Sequence, residues 1–386
     1  MSFTSVSRPV VPEGGSRVFT GETKKVSRNN SRTTARISLP AIRHNLDVVR
    51  RLCPEAKISG VVKADGYGHG TAHVFKAIGE TINSFAVATL DEAVSLRRLG
   101  FDGEIWVFSG ILLDNEVSVF RENRLTPVVH NSHQLKLARS ETYDLPIILK
   151  IDAGMGRLGF KPDDAKQILL ALNSSDSHVM LMGHFSNADV KGSYVTSQEL
   201  SSFLSVKGGQ RCERSIAASA GILSKIGSNL SWVRPGLLLY GVSPFQDCIG
   251  QDHGLVPAMT LQSSLISIRQ FKEGDRIGYG GEWICPESMP VGIVGCGYGD
   301  GYPRMISRGS CVEVCGEKAP IIGRISMDSM AIDLRGIKDV QLGDSVVMWG
   351  QEIPIETVAR GASTIPNELL VRIPQRVNRI ADWQSL

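Results

Sequence analysis

No stretch of this 386-residue chain holds about 18 consecutive apolar residues, so no segment reads as a membrane-spanning helix. The N-terminus lacks the apolar core of a secretory signal, and the chain is expected to stay in the cytosol. Clusters of lysine or arginine interleaved with aromatics are also missing, and the formal net charge is only +3. Both absences argue against nucleic acid as a partner. The seven cysteines (Cys53, Cys212, Cys248, Cys285, Cys296, Cys311 and Cys315) are scattered, odd in number and without a Cys-x-x-Cys pair. That is the usage of reduced thiols rather than of a disulfide framework. Cys311 and Cys315 can face one side of a strand, but no histidine lies near them, so they read as packed side chains and no metal site is expected.

Acidic residues are scarce in residues 1–33, where only Glu13 and Glu22 stand among many Ser, Thr and Arg. With no helical or strand period, this segment is expected to be a disordered N-terminal extension. Its Arg/Ser richness also suits an organellar transit peptide, although Pro9, Pro12, Gly14 and Gly15 interrupt any amphipathic helix.

What is present begins with size: at 42% hydrophobic and 21% charged, the chain can bury a large core and exceeds one ordinary domain. From Ile37 onward short apolar runs alternate with stretches of helical period. Strands are expected near 58–63, 84–89, 104–109, 126–129, 146–151, 178–184, 214–219 and 231–240, with helices such as Asp91–Leu99 and Pro162–Leu172 between them. Eight such units suggest a closed parallel (β/α)8 TIM-type barrel over residues 34–254; a doubly wound open sheet alternates in the same way. After about residue 254 the helical period fades. Short alternating runs (Leu261–Gln270, Gly292–Cys296, Cys311–Cys315, Ser345–Trp349) predict a mostly β C-terminal domain over 255–386.

Lys63 is the most informative residue. It ends an apolar run (Ile58, Val61, Val62) and opens the segment Ala-Asp-Gly-Tyr-Gly-His-Gly. Apolar walls disfavour an ammonium and lower its pKa, which suits an amine that attacks an aldehyde. A surface lysine capping a strand would be the bland alternative, but Gly66, Gly68 and Gly70 permit close backbone approach to a ligand, and Tyr67 offers a hydroxyl to a phosphate. Barrel enzymes place their chemistry at the C-terminal ends of strands, and the polar outliers fall there: Lys63, Lys150, His184 and Ser219, with Arg234 inside the eighth run.

The segment V-V-K-A-D-G-Y-G-H-G resembles the pyridoxal phosphate lysine motif of the alanine racemase family. K-I-D-A-G-M-G-R-L-G (150–159), G-H-F-S-N-A-D (183–189), V-R-P-G-L-L-L-Y-G (233–241), G-D-R-I-G-Y-G (274–280) and G-R-I-S-M-D (323–328) follow in the family's order. The resemblance implies pyridoxal 5'-phosphate on Lys63 and a homodimer with shared sites. It implies that Tyr279 is a second base reaching the neighbouring subunit's cofactor, so that Lys63 and Tyr279 serve opposite faces of the substrate. Arg234 would face the ring nitrogen, where the similar barrel decarboxylases carry a carboxylate. His184 and Arg234 would favour the Tyr279 phenolate. Arg157 would clamp the substrate carboxylate, with Met327 and Asp328 of the other subunit completing that pocket. Lys150 would hold Arg157, either as a carbamate or as a plain amine beside Asp152. Tyr67, Ser219, Gly236 and Leu237 would receive the phosphate.

Two departures stand out. Ala218 replaces a usual asparagine, and Asn367 stands where most members carry a tyrosine that contacts the phosphate and narrows the pocket. Asparagine there also resembles racemase domains associated with serine. The reading is therefore an amino-acid racemase for alanine, with serine as a further substrate. A decarboxylase and a non-catalytic cofactor-binding barrel are the alternatives.

Overall fold

The structure is a computed structural model that describes residues 32–139, 144–172, 179–207 and 212–384. The expectation for residues 1–31 lies outside the described residues; Thr33 is buried, and its hydroxyl donates to the Gly295 carbonyl at 3.0 Å.

Strand β1 (Thr34–Ser38) leads into the helix Leu39–Leu52. The Ser38 side chain caps that helix by accepting the Ala41 N–H, and Arg50 and Arg51 sit in its last turn, where cations suit the helix dipole. Eight parallel strands then close into a barrel: β2 (Lys57–Val61), β3 (Ser84–Val87), β4 (Glu104–Val107), β5 (Leu125–Val129), β6 (Ile147–Lys150), β7 (Val179–Met182), β8 (Arg214–Ala218) and β9 (Trp232–Arg234). Lys57 and Ile58 of β2 pair with Trp232 and Val233 of β9 to complete the circle. The barrel expectation is met, and each of the eight predicted runs overlaps one stave, with β2 and β5 each starting one residue earlier than expected.

The barrel interior is packed rather than open. Val61, Ala86, Trp106, Val128, Ile148, Met180, Met182 and Trp232 fill it, with the two indoles edge to face at 4.8 Å between centroids. Each of the larger side chains among them contributes about 1.5–3 kcal/mol by leaving water. The core thus fixes the mouth on which the polar strand ends converge.

The later strands are mostly antiparallel: β10 (Met259–Phe271), β11 (Arg276–Ile277), β12 (Trp283–Ile284), β13 (Met289–Val294), β14 (Cys311–Val314), β15 (Glu317–Ile322), β16 (Met330–Asp333), β17 (Ser345–Trp349) and β18 (Asn378–Asp382). Eight strands run in the order β13-β16-β15-β14-β17-β10-β1-β18, and β10 also pairs with β13. In the first half of β10 buried and half-buried residues alternate, the period of a sheet with one face on a core. A barrel running from residue 34 would include β1, but β1 pairs antiparallel with β10 and parallel with β18 in this second sheet. Among the described residues no helix is long and apolar enough to cross a membrane.

Candidate active site

The loops after the barrel strands surround a cavity of about 620 Å³ at the C-terminal mouth. Lys63, Tyr67, Lys150, Arg157, His184, Ser219, Arg234, Gly236, Leu237 and Asn367 all line it. Its lining contains two lysines, two arginines and two histidines, and no Asp or Glu. A wall of that composition favours anionic ligands.

Lys63 follows β2 directly. Its pKa is lowered, first by burial and then by the charge of Arg157, with Glu92 opposing, and its Nζ lies 5.8 Å from the Phe108 ring centroid. Glu92 belongs to the helix Leu90–Arg98, where it forms a capping box with Thr89, and its other oxygen accepts the Ala64 N–H at 2.7 Å. One carboxylate thus links the loop after β3, the second barrel strand, to the residue after Lys63.

Arg234 is 3% exposed. Its guanidinium donates to Ser215 Oγ at 2.5 Å and to the Gly183 carbonyl at 2.8 Å, and lies 3.4 Å from His184 Nδ1. Burial lowers its pKa to about 9, so it stays cationic at neutral pH, and no carboxylate pairs with it among the described residues. His184 is pushed well below the usual histidine range by burial and by Arg234, Lys150, Arg157 and Lys63, and is neutral. Lys150 is lowered well below its ordinary value by burial, Arg234 and Arg157. Asp152 forms its ion pair with Lys161 at 3.2 Å, and also accepts the Gly156 N–H at 2.9 Å in the loop that carries Arg157.

An anion cup forms where β8 and β9 end. Ser219 Oγ accepts the Gly236 N–H at 3.1 Å, and a Cβ at Gly236 would stand 2.9 Å from the Tyr67 hydroxyl. Glycine is what allows the phenol this close. Burial pushes Tyr67 up to about 12, so it remains a hydroxyl donor. Asn367 enters the cavity wall from the short helix Pro366–Val371.

Three predicted residues are not brought here. Tyr279 is 65% exposed on the turn that joins β11 and β12, a separate two-stranded hairpin, and Met327 is 52% exposed. Asp328 pairs with Arg376, which also holds Asp300. Within one chain, none of the three lines the cavity. Conversely, Phe108, Ser109 and His130 do line it and were not singled out from the sequence. They follow β4 and β5, so the strand-end rule applied to all eight staves would have found them.

The comparisons with known proteins agree across the chain. Residues 37–244 match the family model for the alanine racemase N-terminal domain, and residues 258–381 match that for the C-terminal domain. The alanine racemase of Pasteurella multocida (strain Pm70) is 41% identical over 354 residues, spanning 90% of this chain and 98% of that protein. The crystal structure of biosynthetic alanine racemase from Pseudomonas aeruginosa superposes with a TM-score of 0.86 at 36% identity, covering 91% of this chain and 99% of that one. The alanine racemase of Bartonella henselae, solved with covalently bound pyridoxal phosphate, superposes with a TM-score of 0.81 at 26% identity, covering 91% and 99%.

Proposed function

The chain belongs to the alanine racemase family, and from that premise we propose that it interconverts L- and D-alanine with pyridoxal 5'-phosphate, using Lys63 and Tyr279 as the two bases. The observation that carries the reading is the mouth cavity, which brings an amine of lowered pKa together with a cup of hydroxyl and N–H groups, in a wall without carboxylates. These residues fit the cofactor. Lys63 would take its aldehyde; Tyr67, Ser219 and the N–H groups of Gly236 and Leu237 would hold its phosphate; and Arg234 would face its ring nitrogen.

When bound, pyridoxal phosphate withdraws electrons from the amino acid and so acidifies its Cα–H. The chain's residues do the rest. Arg157 clamps the substrate carboxylate, for which a guanidinium fork is suited. Lys63 Nζ takes or returns the Cα proton on one face, and Tyr279 Oη does so on the other. The Arg234 cation disfavours a proton on the ring nitrogen, which suits proton exchange over decarboxylation. Neutral His184 fills the space beside Arg234. Lys150, held toward its neutral form, would brace Arg157 as a plain amine or after adding carbon dioxide as a carbamate.

Because Tyr279, Met327 and Asp328 stand away from this cavity and Tyr279 and Met327 are largely exposed, we place them in the site of a second copy, which makes the working unit a homodimer. We retain residue 254 as the division between a barrel domain that binds cofactor and a β domain that serves the partner. The free cysteines fit a cytoplasmic location. Serine is proposed as a further substrate on account of Asn367, whose amide borders the cavity.

The test is racemisation of a panel of L-amino acids by the purified protein, with chiral detection of products. D-alanine is expected first among them, and wild-type protein should carry a borohydride-reducible adduct that Lys63→Ala loses. An adduct retained on another lysine would refute the assignment.

A further inference from the structure

Five consecutive residues after Lys63, from Ala64 to Gly68, have φ between 51° and 77°, a single turn of left-handed backbone. Ala64, Asp65 and Tyr67 carry side chains, and each such residue costs roughly 1–2 kcal/mol. A turn of this kind persists only where its surroundings impose it. Several contacts do so: Asp65 accepts the Thr71 N–H at 2.8 Å, and Arg379 on β18 donates to the Gly68 carbonyl at 2.6 Å.

His69 contributes most directly. It is fully buried and stacked on Tyr240 at 4.3 Å, and Tyr240 in turn donates to the Val61 carbonyl. His69 Nδ1 lies 3.1 Å from the Gly66 carbonyl oxygen and 3.0 Å from that of Tyr67. Both partners only accept, so Nδ1 carries the proton and Nε2 presents a lone pair. Burial, which lowers the ring's pKa to about 4, keeps that tautomer neutral.

Among the described residues His69 Nε2 has no hydrogen-bond partner, and neither has the indole Nε1 of Trp349 at the end of β17. Both side chains line one small cavity beside Tyr240, with about 10 Å³ of space for a water-sized sphere. That is about the room one water needs. An acceptor without a donor and a donor without an acceptor thus share a one-water space, and leaving either unsatisfied costs about 1–3 kcal/mol.

We propose that this cavity binds one water molecule, which accepts the Trp349 indole N–H and donates to His69 Nε2, and that His69 is thereby a positioning residue for the left-handed turn and Lys63. The water ties a strand of the second sheet to the turn behind the cofactor lysine. The part concerning Lys63 rests on the cofactor reading above.

The direct test is a crystal structure of the cofactor-loaded protein at a resolution that shows ordered water. A single water within hydrogen-bond distance of both atoms is expected; an empty cavity, or a water touching neither atom, overturns the binding site. The functional arm titrates pyridoxal phosphate into cofactor-free wild type, Trp349→Phe, His69→Leu and His69→Gln. Trp349→Phe keeps a ring against Tyr302 but removes the N–H. It is expected to raise the cofactor dissociation constant roughly two- to twelvefold, and to shift the pH at which the bound cofactor's absorbance titrates. His69→Leu should exceed that loss, and His69→Gln, which can donate to the same carbonyls and accept from the water, should recover most of it. A lowered melting temperature with unchanged cofactor affinity and unchanged titration in Trp349→Phe overturns the positioning role. Wild type that takes up no cofactor would instead refute the cofactor reading, and the water would then be decided by the same crystallographic criterion on the cofactor-free protein.

Discussion

The Arg234 guanidinium reaches to 3.4 Å from Nδ1 of His184, so the two groups cannot both be cationic without strong mutual repulsion. The arginine holds its proton and the imidazole stays neutral. Arg234 keeps this position by a fork of bonds to Ser215 and to the carbonyls of Gly183 and Ile216.

Arg234→Lys tests that fork. Lysine preserves charge but cannot reach several partners at once. Loss of one charge-assisted bond, about 1.5–3 kcal/mol, predicts a fall in kcat/KM for alanine of roughly ten- to a hundredfold. Steady-state kinetics alongside a melting curve would check this, and kinetics equal to wild type would show that charge alone suffices.

Shared sites predict rescue between dead variants. Lys63→Ala and Tyr279→Phe should each be inactive as homodimers, but a hybrid dimer contains one site with both groups intact. After refolding at equal amounts, random pairing gives roughly a quarter of wild-type activity. No rescue in hybrids verified by mass would place each site within one chain.

The barrel was legible because parallel strands buried on both faces read as short continuous apolar runs, and each predicted run overlaps a stave. The Lys63 segment was legible for a different reason, since charge and glycine interrupt that pattern abruptly. Other features depend on partners distant in sequence. Thr34–Ser38 joins a sheet whose other members begin more than 200 residues later, and five residues of alternating pattern cannot announce that pairing. Ala64 is not a residue that advertises positive φ, and Asp65 does so only weakly; Glu92 and Thr71 help impose it. Tyr279 could be picked out by motif, but within one chain it is exposed and away from the cavity, so no contact in a single copy marks it out.

His69 predicts a pH dependence of stability. Burial lowers its pKa from 6.5 to about 4, with Arg379 adding to the decrease and Asp65 opposing it. Between those values the unfolded chain binds a proton that the folded chain does not, so stability contributed above pH 6.5 is lost as pH falls towards 4. The loss attributable to this group is about 3 kcal/mol. Urea unfolding of His69→Gln should show a shallower decline across that window than wild type. Parallel curves would mean that His69 is not the group responsible.

Asn367 offers the sharpest test of substrate choice, because it borders the cavity from a short helix of the second domain and carries both a donor and an acceptor. A serine hydroxyl can use that amide, whereas alanine has nothing to offer it. A phenol at the same place would occupy more of the cavity. Asn367→Tyr should therefore lower serine racemisation relative to alanine by roughly two- to twelvefold, the scale of one neutral hydrogen bond. The ratio of kcat/KM for the two substrates, measured on protein saturated with cofactor, separates this from any change in cofactor binding. If both substrates respond in equal proportion, the amide acts through the cofactor, and the selectivity must lie elsewhere in the wall.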